Sequence, residues 1–307
     1  MMRVMLAAVL AAGLSLPMTA SAQVPPDIAA QIKAIGRKVD PEATAKIYAP
    51  LQKKEPYAGV KVVRDIHYGP GPKDTLDVFT PQAGATGRPV LLFIHGGAFV
   101  GGDKNLDGQG KPSPFYDNLM LWALDHGMVG VNMNYELAPK AQFPVVQQDI
   151  ATVIAWIQKN AAQYGGDGKR VFLWGHSAGA THVASFVGRP ELYPAGGIGL
   201  KGAIITSGGY KLAGPASPYF GAPSTFAAKD HWAGLMATTL PLFTVAAEYD
   251  PEFMVAGAQD FNDARCKAGR CPAVFMILKD HGHMSESYHI NTADQSLATP
   301  LLAFMQA

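Results

Sequence analysis

The chain has 307 residues, of which 48% are hydrophobic and 16% charged, which is typical of one large soluble domain or two small ones. Its 25 basic and 24 acidic residues leave a net charge of +1, so composition gives no reason to expect nucleic acid or an anionic membrane as partner. Runs of like charge and repeat periods are absent from the sequence, which argues against a charged tail and a solenoid.

Residues 1–22 have the pattern of a secretory signal peptide. A short basic start that ends at Arg3 precedes an apolar run to about Met18, and Ala20 and Ala22 satisfy the small-residue rule for cleavage. The run is short for a bilayer span, which needs about 20 residues, although an uncleaved anchor is the alternative. We predict cleavage after Ala22 and export, to the periplasm or the medium, of a nearly neutral protein without a stable membrane anchor.

Residues 23–59 form a polar, partly helical lead-in whose fold and role the sequence does not define. After it, VKVVRDIHYG alternates as a strand does, GPGPK is typical of a turn, and DTLDVFTP is typical of a second strand. The two strands predict an antiparallel start to a domain over residues 60–307.

From residue 88 onwards, apolar strands alternate with helical segments. The predicted strands are PVLLFI, MVGVNMNY, RVFLWG, LKGAIITSG, LPLFTVAAE and PAVFMILKD, and such apolar runs are typical of strands covered on both faces. The predicted helices are LWALDHG, a segment from FPVVQQD that stops at Gly165-Gly166, AGATHVASFVG, DPEFMVAGAQDFNDARCKAG and TADQSLATPLLAFMQ. This order predicts an α/β fold with a mainly parallel, doubly wound sheet.

The interval 209–235 breaks this alternation. It is rich in glycine, proline and aromatic residues and is long for an ordinary loop. Two interpretations stay open at the level of sequence: a lid or pocket wall, and an inert surface excursion.

Reactive side chains follow four of the predicted strands. HGGAF follows VLLFI, Ser177 follows VFLWGH, Asp250 follows FTVAAEY, and the histidines of DHGHMSE follow VFMIL. Ligands bind at the carboxyl ends of parallel strands, so we expect these groups at one edge. A serine nucleophile needs a histidine base and a carboxylate that orients it, and backbone N–H groups must stabilise the oxyanion.

Local spacing leaves alternatives for the nucleophile and the base. Ser177 could be a structural turn residue, although its neighbours favour a nucleophile. His281 competes with His283 as the base, and spacing alone does not decide between them. His176 is interpreted as a support of the turn, and His289, which lies beyond it, as structural.

For the acid, the sequence favours Asp250 over three other aspartates. Asp260 and Asp263 fall within a predicted helix, and Asp280 is so close in sequence to both histidines that its reach is doubtful.

The sequence resembles the α/β-hydrolases, and among them the esterases and lipases related to hormone-sensitive lipase. FIHGGAFVGGDK is similar to their HGGG oxyanion segment, NYELAPKAQFP to their YRLAPE…FP segment, and YGGDGKRVFLWGHSAGA to their nucleophile elbow. AEYDP and HGHMSE stand where the acid and the base would. The resemblance covers about residues 60–307, and these motifs in this order are far more specific than Gly-x-Ser-x-Gly alone.

The resemblance implies a role for each matching position and no metal, nucleotide or other cofactor. His95 would shape the oxyanion turn rather than react. The implied roles are Ser177 as nucleophile, Asp250 as the acid, His283 as the general base, and the N–H groups of Gly97, Ala98 and Ala178 as the oxyanion hole, with Gly96 a close candidate.

Two positions depart from the family pattern. Ala98 stands where many relatives have a third glycine, which predicts less space for bulky alcohol groups. Glu136 stands where YRLAP has arginine, so an ion pair is expected to be lost or reversed. Neither departure removes a catalytic group.

Cys266 and Cys271 are five residues apart in ARCKAGRCPA. In an exported chain a close pair usually forms a disulfide, the alternative being two free thiols. Two more ligands with zinc-like spacing are missing nearby, which argues against a metal site at these cysteines.

Together these features predict an exported serine carboxylic-ester hydrolase that acts on small to medium esters, short-chain or aromatic. The alternatives are an amidase, peptidase or formamidase with the same residues, and an inactive hydrolase-fold binding protein. The oligomeric state is not predicted.

Overall fold

A computed structural model describes residues 23–307 and contains an eight-stranded sheet with helices on both faces. The predicted signal peptide, residues 1–22, lies outside the described residues. The strands are β1 (Val60–His67), β2 (Thr75–Pro81), β3 (Arg88–Ile94), β4 (Val129–Met133), β5 (Gly166–His176), β6 (Gly202–Thr206), β7 (Leu242–Tyr249) and β8 (Val274–Gly282).

The strands lie in the order β1-β2-β4-β3-β5-β6-β7-β8. β1 pairs antiparallel with β2, and β2 pairs antiparallel with β4, whereas every later neighbour pair is parallel. The predicted mainly parallel sheet with an antiparallel start is therefore confirmed. The parallel strands bring the residues that follow β3, β5, β6, β7 and β8 to one edge of the sheet.

The helices cover both faces of this sheet. The α-helices are α1 (Pro26–Ile35), α2 (Pro41–Tyr48), α3 (Pro114–Asp125), α4 (Val145–Asn160), α5 (Ala178–Val187), α6 (Phe226–Lys229), α7 (Trp232–Ala237), α8 (Glu252–Lys267), α9 (Ser285–Tyr288) and α10 (Ala298–Gln306), and the 3₁₀ helices are Ala49–Leu51, Ala161–Tyr164, Pro190–Leu192 and Pro223–Thr225. Within residues 23–307, no helix combines the length and the apolar character that a membrane crossing requires.

Alternate residues of β3 show how the sheet is buried on both faces. Leu92 and Ile94 pack into a cluster with residues of α4 and α5, whereas Leu91 and Phe93 pack with residues of α3 and α10. Successive side chains of a strand point to opposite faces, so an apolar run is needed wherever both faces are covered.

Two boundaries and one short helix differ from the sequence prediction. Gly165, at φ +78°, ends the helical stretch, but Gly166 already belongs to β5. The last helix begins at Ala298, because the preceding residues form turns. The short helix α9 was not predicted, since four residues give no helical periodicity.

Residues 23–59 pack beside the strand ends of β7 and β8. Ile28 and Ile32 of α1 and Tyr48 of α2 are buried in a cluster with Met284, which precedes α9, and Tyr288, the last residue of α9. The lead-in is therefore partly buried structure, held by apolar contacts to the segment that follows β8.

The predicted disulfide is present. Cys266, in the last turn of α8, is bonded to Cys271, which follows that helix.

Candidate active site

Ser177 lies in a sharp turn between β5 and α5. Its backbone has φ +59° and ψ −122°, a conformation that costs of order 1–3 kcal/mol and persists only where the surroundings enforce it. The flanking glycines allow the close packing: a Cβ on Gly175 would lie 2.4 Å from the carbonyl oxygen of Gly179, and a Cβ on Gly179 would lie 2.2 Å from that of Ile94. The turn therefore requires small residues on both sides of the serine.

Ser177, His283 and Asp250 form one chain of hydrogen bonds. The distance from His283 Nε2 to Ser177 Oγ is 2.8 Å, and that from His283 Nδ1 to Asp250 Oδ1 is 2.7 Å. The side chains of His283 and Asp250 are buried, whereas Ser177 is half-buried. The structure thus brings together the three residues whose catalytic roles the sequence predicts, in the order that such chemistry needs.

The carboxylate of Asp250 is held by several donors. Besides the His283 contact, its Oδ2 accepts a 2.7 Å hydrogen bond from the backbone N–H of Ala247 and a short one from the hydroxyl of Ser207. In a site without solvent, such donors stabilise the negative charge that orients the imidazole.

The competing residues lie elsewhere. His281 pairs with Asp294, with 3.0 Å between Nε2 and Oδ2. Asp260 and Asp263 lie on α8, as the sequence indicates, and the backbone N–H of Asp280 binds Glu248. The geometry favours Asp250 and His283 over these alternatives.

Two further histidines support the loop that follows β8. The ring of His176 contacts the backbone oxygen of His283 through Nε2 at 2.8 Å, and that of His289 contacts the oxygen of Ser285 through Nδ1 at 2.6 Å. Burial lowers the pKa of each histidine to about 3, so both rings are neutral around pH 7 and each nitrogen in contact with an oxygen carries the proton. They act as supports of the loop backbone after β8. This agrees with the interpretation of His289 as structural, whereas His176 contacts this loop rather than the turn at Ser177 that the sequence suggested.

The predicted oxyanion turn, residues 95–99, follows β3 and has an unusual backbone. Gly97, Ala98 and Phe99 have φ values of +137°, +52° and +71°. The oxygen of Gly97 accepts hydrogen bonds from the N–H groups of Val100 and Gly101, which closes the turn. Among the hydrogen bonds found for residues 23–307, none uses the N–H of Gly97 or Ala98, so both remain available to a ligand.

The remaining predicted donors are Ala178, which directly follows Ser177, and Gly96. Ala178 is the first residue of α5, where a backbone N–H has no partner within the helix. A Cβ on Gly96 would lie 2.9 Å from the Cβ of Ser177, so the turn passes directly beside the serine. Gly96 and Ala178 thus lie beside Ser177, and the role of Gly97, Ala98 and Ala178 as an oxyanion hole stays a prediction.

His95 fixes the start of this turn. Its Nδ1 lies 2.7 Å from the oxygen of Gly96, and its ring stacks on Tyr135, whose hydroxyl donates to the His95 backbone oxygen over 2.8 Å. Burial lowers the pKa of His95 to about 4. The side chain is a buried, neutral support of the turn.

The interval 209–235 packs against the oxyanion turn. Tyr219 and Phe220 are buried, and both rings contact Phe99, with centroid distances of 5.9 and 5.7 Å. Phe226 and Leu235 extend the same segment into the core. These contacts favour a wall beside the turn over an inert surface excursion.

Glu136 forms contacts that arginine could not form. Its carboxylate accepts a hydrogen bond from the backbone N–H of Lys73 and pairs with Lys140, each at 3.2 Å. Nearby, Asp149 is half-buried, and its buried Oδ2 has no partner among the described residues. Burial, together with the charges of Asp74 and Glu136, raises the pKa of Asp149 to about 7. Because Glu136 pairs with Lys140, the ion pair expected of an arginine at this position is reversed in sign.

Sequence reasoning missed the groups that hold the acid and the base. Arg37 Nη1 donates to the backbone oxygen of Asp250 over 2.6 Å, and Gln52 Nε2 donates to that of Tyr288 over 2.5 Å. Ser207 follows β6 and touches both Asp250 and Glu286. The position of Ser207 after a parallel strand was the one available signal, because the other contacts join residues more than 200 positions apart.

His281, His289 and Asp294 form the one group of three potential metal ligands found within residues 23–307, with ligand atoms within 4.8 Å of one another. The imidazole of His281 already pairs with Asp294 and with the hydroxyl of Ser285. These contacts are those of a buried hydrogen-bond network that braces the loop after β8.

Known structures share this architecture. An esterase from the archaeon Pyrobaculum calidifontis superposes with a TM-score of 0.66 at 18% identity, covering 92% of this chain and 98% of that one. A fungal esterase structure from Rhizomucor miehei gives 0.64 at 18% identity, covering 92% and 97%. The chain has the α/β-hydrolase fold. At these identities, the structural likeness establishes the fold and not the activity.

Sequence comparisons agree with this assignment. A model of the family BD-FAE matches residues 76–192, which include the predicted oxyanion turn and the turn at Ser177. Esterase LipQ of Mycobacterium tuberculosis is 28% identical over 246 residues, which are 73% of this chain and 54% of LipQ. The probable carboxylic ester hydrolase LipM of the same organism is 34% identical over 145 residues, 46% of this chain and 32% of LipM. The chain thus spans about half or less of the length of these relatives.

Proposed function

We propose that the chain is a serine carboxylic-ester hydrolase that works through an acyl-enzyme on small to medium esters. The observation that carries the proposal is the unbroken hydrogen-bond chain from Asp250 through His283 to Ser177, beside backbone N–H groups without partners. Esterase names among the relatives support the same class of reaction.

Acylation follows from this geometry. The Ser177 oxygen attacks the ester carbonyl carbon while His283 Nε2 accepts the serine proton, and the carbonyl oxygen becomes an oxyanion. The free N–H groups of Gly97, Ala98 and Ala178 would stabilise that charge, and Asp250 would stabilise the imidazolium. The imidazolium then protonates the leaving alkoxide as the carbon–oxygen bond breaks.

Deacylation repeats these steps with water. His283 removes a proton from a water molecule, the hydroxide attacks the acyl carbonyl, and the resulting oxyanion occupies the same backbone donors. Collapse of this intermediate breaks the bond to the Ser177 oxygen, which recovers its proton from His283 and releases the acid.

The wall beside the oxyanion turn supports a preference for short-chain or aromatic acyl groups. Tyr219 and Phe220 are fixed by burial against Phe99, so this side of the site is aromatic and tightly packed. We propose that residues 209–235 line the substrate pocket and do not open as a lipase lid does.

Export is part of the proposal. It is supported by the signal-peptide pattern of residues 1–22 and by the disulfide between Cys266 and Cys271, a bond typical of oxidising compartments. The proposal is tested by fusing residues 1–22 to a reporter that is active only in the periplasm and comparing it with the reporter alone. A fusion that is not exported would contradict the proposal.

A series of p-nitrophenyl esters tests the reaction and the chain-length preference together. The mature protein should hydrolyse acetate and butyrate faster than octanoate and palmitate, and Ser177→Ala should abolish all four rates. A matched anilide, turned over no faster than the background rate, separates an esterase from an amidase. Rates that rise towards palmitate would contradict the proposed pocket, and an inactive protein would indicate a binding protein on a hydrolase fold.

A further inference from the structure

A second carboxyl group lies beside the acid of the proposed esterase. Glu286, in α9, has no exposed surface, and its Oε2 lies 2.5 Å from the hydroxyl oxygen of Ser207. The same hydroxyl contacts Oδ2 of Asp250. One serine oxygen thus bridges two buried carboxyl groups, and none of the proposed catalytic steps uses Glu286.

The number of protons at this bridge restricts its charge state. The Ser207 hydroxyl has one proton and can donate it to only one of the two carboxyl groups. At hydrogen-bond distance, the other carboxyl group must donate a proton to the serine oxygen, because two lone pairs facing each other would repel. One of the two acids is therefore neutral.

The partners of each acid decide which one is neutral. Asp250 also accepts from the backbone N–H of Ala247 and faces Nδ1 of His283. Glu286 has Ser207 as its hydrogen-bond partner, and its Oε1 has no partner among the described residues. An ionised carboxylate is stabilised where donors surround it, so the charge belongs to Asp250 and the proton to Glu286.

We propose that Glu286 is a neutral positioning residue that fixes Asp250 through Ser207. Its Oε2–H donates to the Ser207 oxygen, and the Ser207 hydroxyl donates to Oδ2 of Asp250. Bonds in such a chain polarise one another, so the outer donor strengthens the inner one. Asp250 then presents a single, fixed negative charge to His283. Only the expected effect of Glu286 on the reaction rate rests on the proposed function.

The surroundings of Glu286 agree with a neutral side chain. Burial and the charge of Asp250 raise the pKa of Glu286 well above its usual range. The other groups that face it are His176, whose Nε2 lies 4.0 Å from Oε2, and Tyr210, whose buried hydroxyl has no partner among residues 23–307. Burial keeps His176 uncharged, so none of the neighbours found for Glu286 within residues 23–307 supplies a cation that would balance its charge.

Infrared difference spectroscopy tests the protonation state without using activity. At about pH 9, where the carboxyl group of Asp149 is ionised, the wild type should show the carbonyl band of a neutral carboxyl group, shifted in heavy water. Glu286→Gln should lose the band, and the control Glu191→Gln, at a half-exposed side chain, should keep it. Ser207→Ala, which removes the acceptor, should move the band. A wild type without the band, or a band that ignores both Glu286→Gln and Ser207→Ala, would overturn the proposal.

Kinetics test the positioning role. Glu286→Gln keeps a donor to Ser207, so kcat should stay within about threefold of the wild-type value. The acid limb of the plot of kcat/KM against pH should not move. Glu286→Met keeps the length without a donor, and kcat should fall about tenfold at nearly constant KM. If Glu286 is ionised in the wild type, Glu286→Gln instead shifts the acid limb down by about half a pH unit or more, which contradicts the proposal. An inactive wild type with the infrared band would refute the esterase assignment alone.

Discussion

The two halves of the candidate site are built differently. Ser177 and the oxyanion turn are held by backbone packing between neighbouring central strands, where glycines allow contacts that a Cβ would prevent. Asp250 and His283 are held by side chains from distant parts of the chain, among them Arg37 and Ser207. The nucleophile half is thus fixed by the sheet itself, and the acid-base half by contacts that a single substitution can remove.

The largest effect is expected at the glycines of the nucleophile half. Gly179→Ala places a Cβ 2.2 Å from the oxygen of Ile94, so strand and helix must separate. Overpacking at a rigid backbone contact should lower the free energy of unfolding by about 3 kcal/mol or more. Urea unfolding checks this, with Gly257→Ala as control, because a Cβ there meets nothing within 4 Å. A Gly179→Ala protein as stable as the control would contradict the packing argument.

A pH-dependent effect on stability is expected at Asp149, which lies in α4 near the charges of Asp74 and Glu136. The folded chain holds a proton up to about pH 7, whereas the unfolded aspartate releases it near 3.8. The stabilisation by this group is therefore fully present below the pKa of Asp149 in the unfolded chain. It is lost as the pH rises through the pKa of Asp149 in the folded chain. Asp149→Asn should remove this loss, worth on the order of 2–4 kcal/mol.

Unfolding free energies between pH 4 and 8 check the Asp149 prediction. Asp260→Asn, at an exposed position of α8, is the control and should keep the wild-type slope. A slope that Asp149→Asn leaves unchanged would assign the pH dependence to other groups.

A smaller effect is expected in the acid-base half. Arg37→Ala removes the donor to the backbone oxygen of Asp250, so kcat for p-nitrophenyl acetate should fall by roughly 3- to 10-fold with little change in KM. The control Arg170→Ala changes an exposed arginine on β5, away from the site. Equal rates for the two variants would show that the lead-in does not position the acid.

The smallest effect is expected at the oxyanion turn. Ala98 is exposed and has φ +52°, a conformation that glycine adopts more easily. Ala98→Gly should raise the free energy of unfolding by about 1 kcal/mol and increase the relative rate with esters of bulky alcohols. Thermal unfolding and a comparison of methyl with tert-butyl esters check this, and a lower melting temperature would contradict the strain argument.

The sequence predicted what depends on local pattern. The strands, the elbow and the HGGAF turn each lie in a short segment whose spacing reflects one backbone requirement. It did not predict the hydrogen bonds from Arg37 and Gln52 to backbone oxygens near the acid and the base, or the contacts of Ser207 with two carboxyl groups. These contacts join segments that only the complete fold brings together. The choice of His283 over His281 likewise depended on resemblance until the geometry separated their partners.

The most direct test of the account is covalent labelling by a fluorophosphonate, followed by intact-protein and peptide mass spectrometry. If Ser177 is activated by His283, the wild type should take up one adduct per chain, located on Ser177. His283→Ala should label far more slowly, and Ser177→Ala should not label. A folded wild type that takes up no adduct, or one whose adduct lies on another residue, would contradict the assignment of Ser177 as the nucleophile.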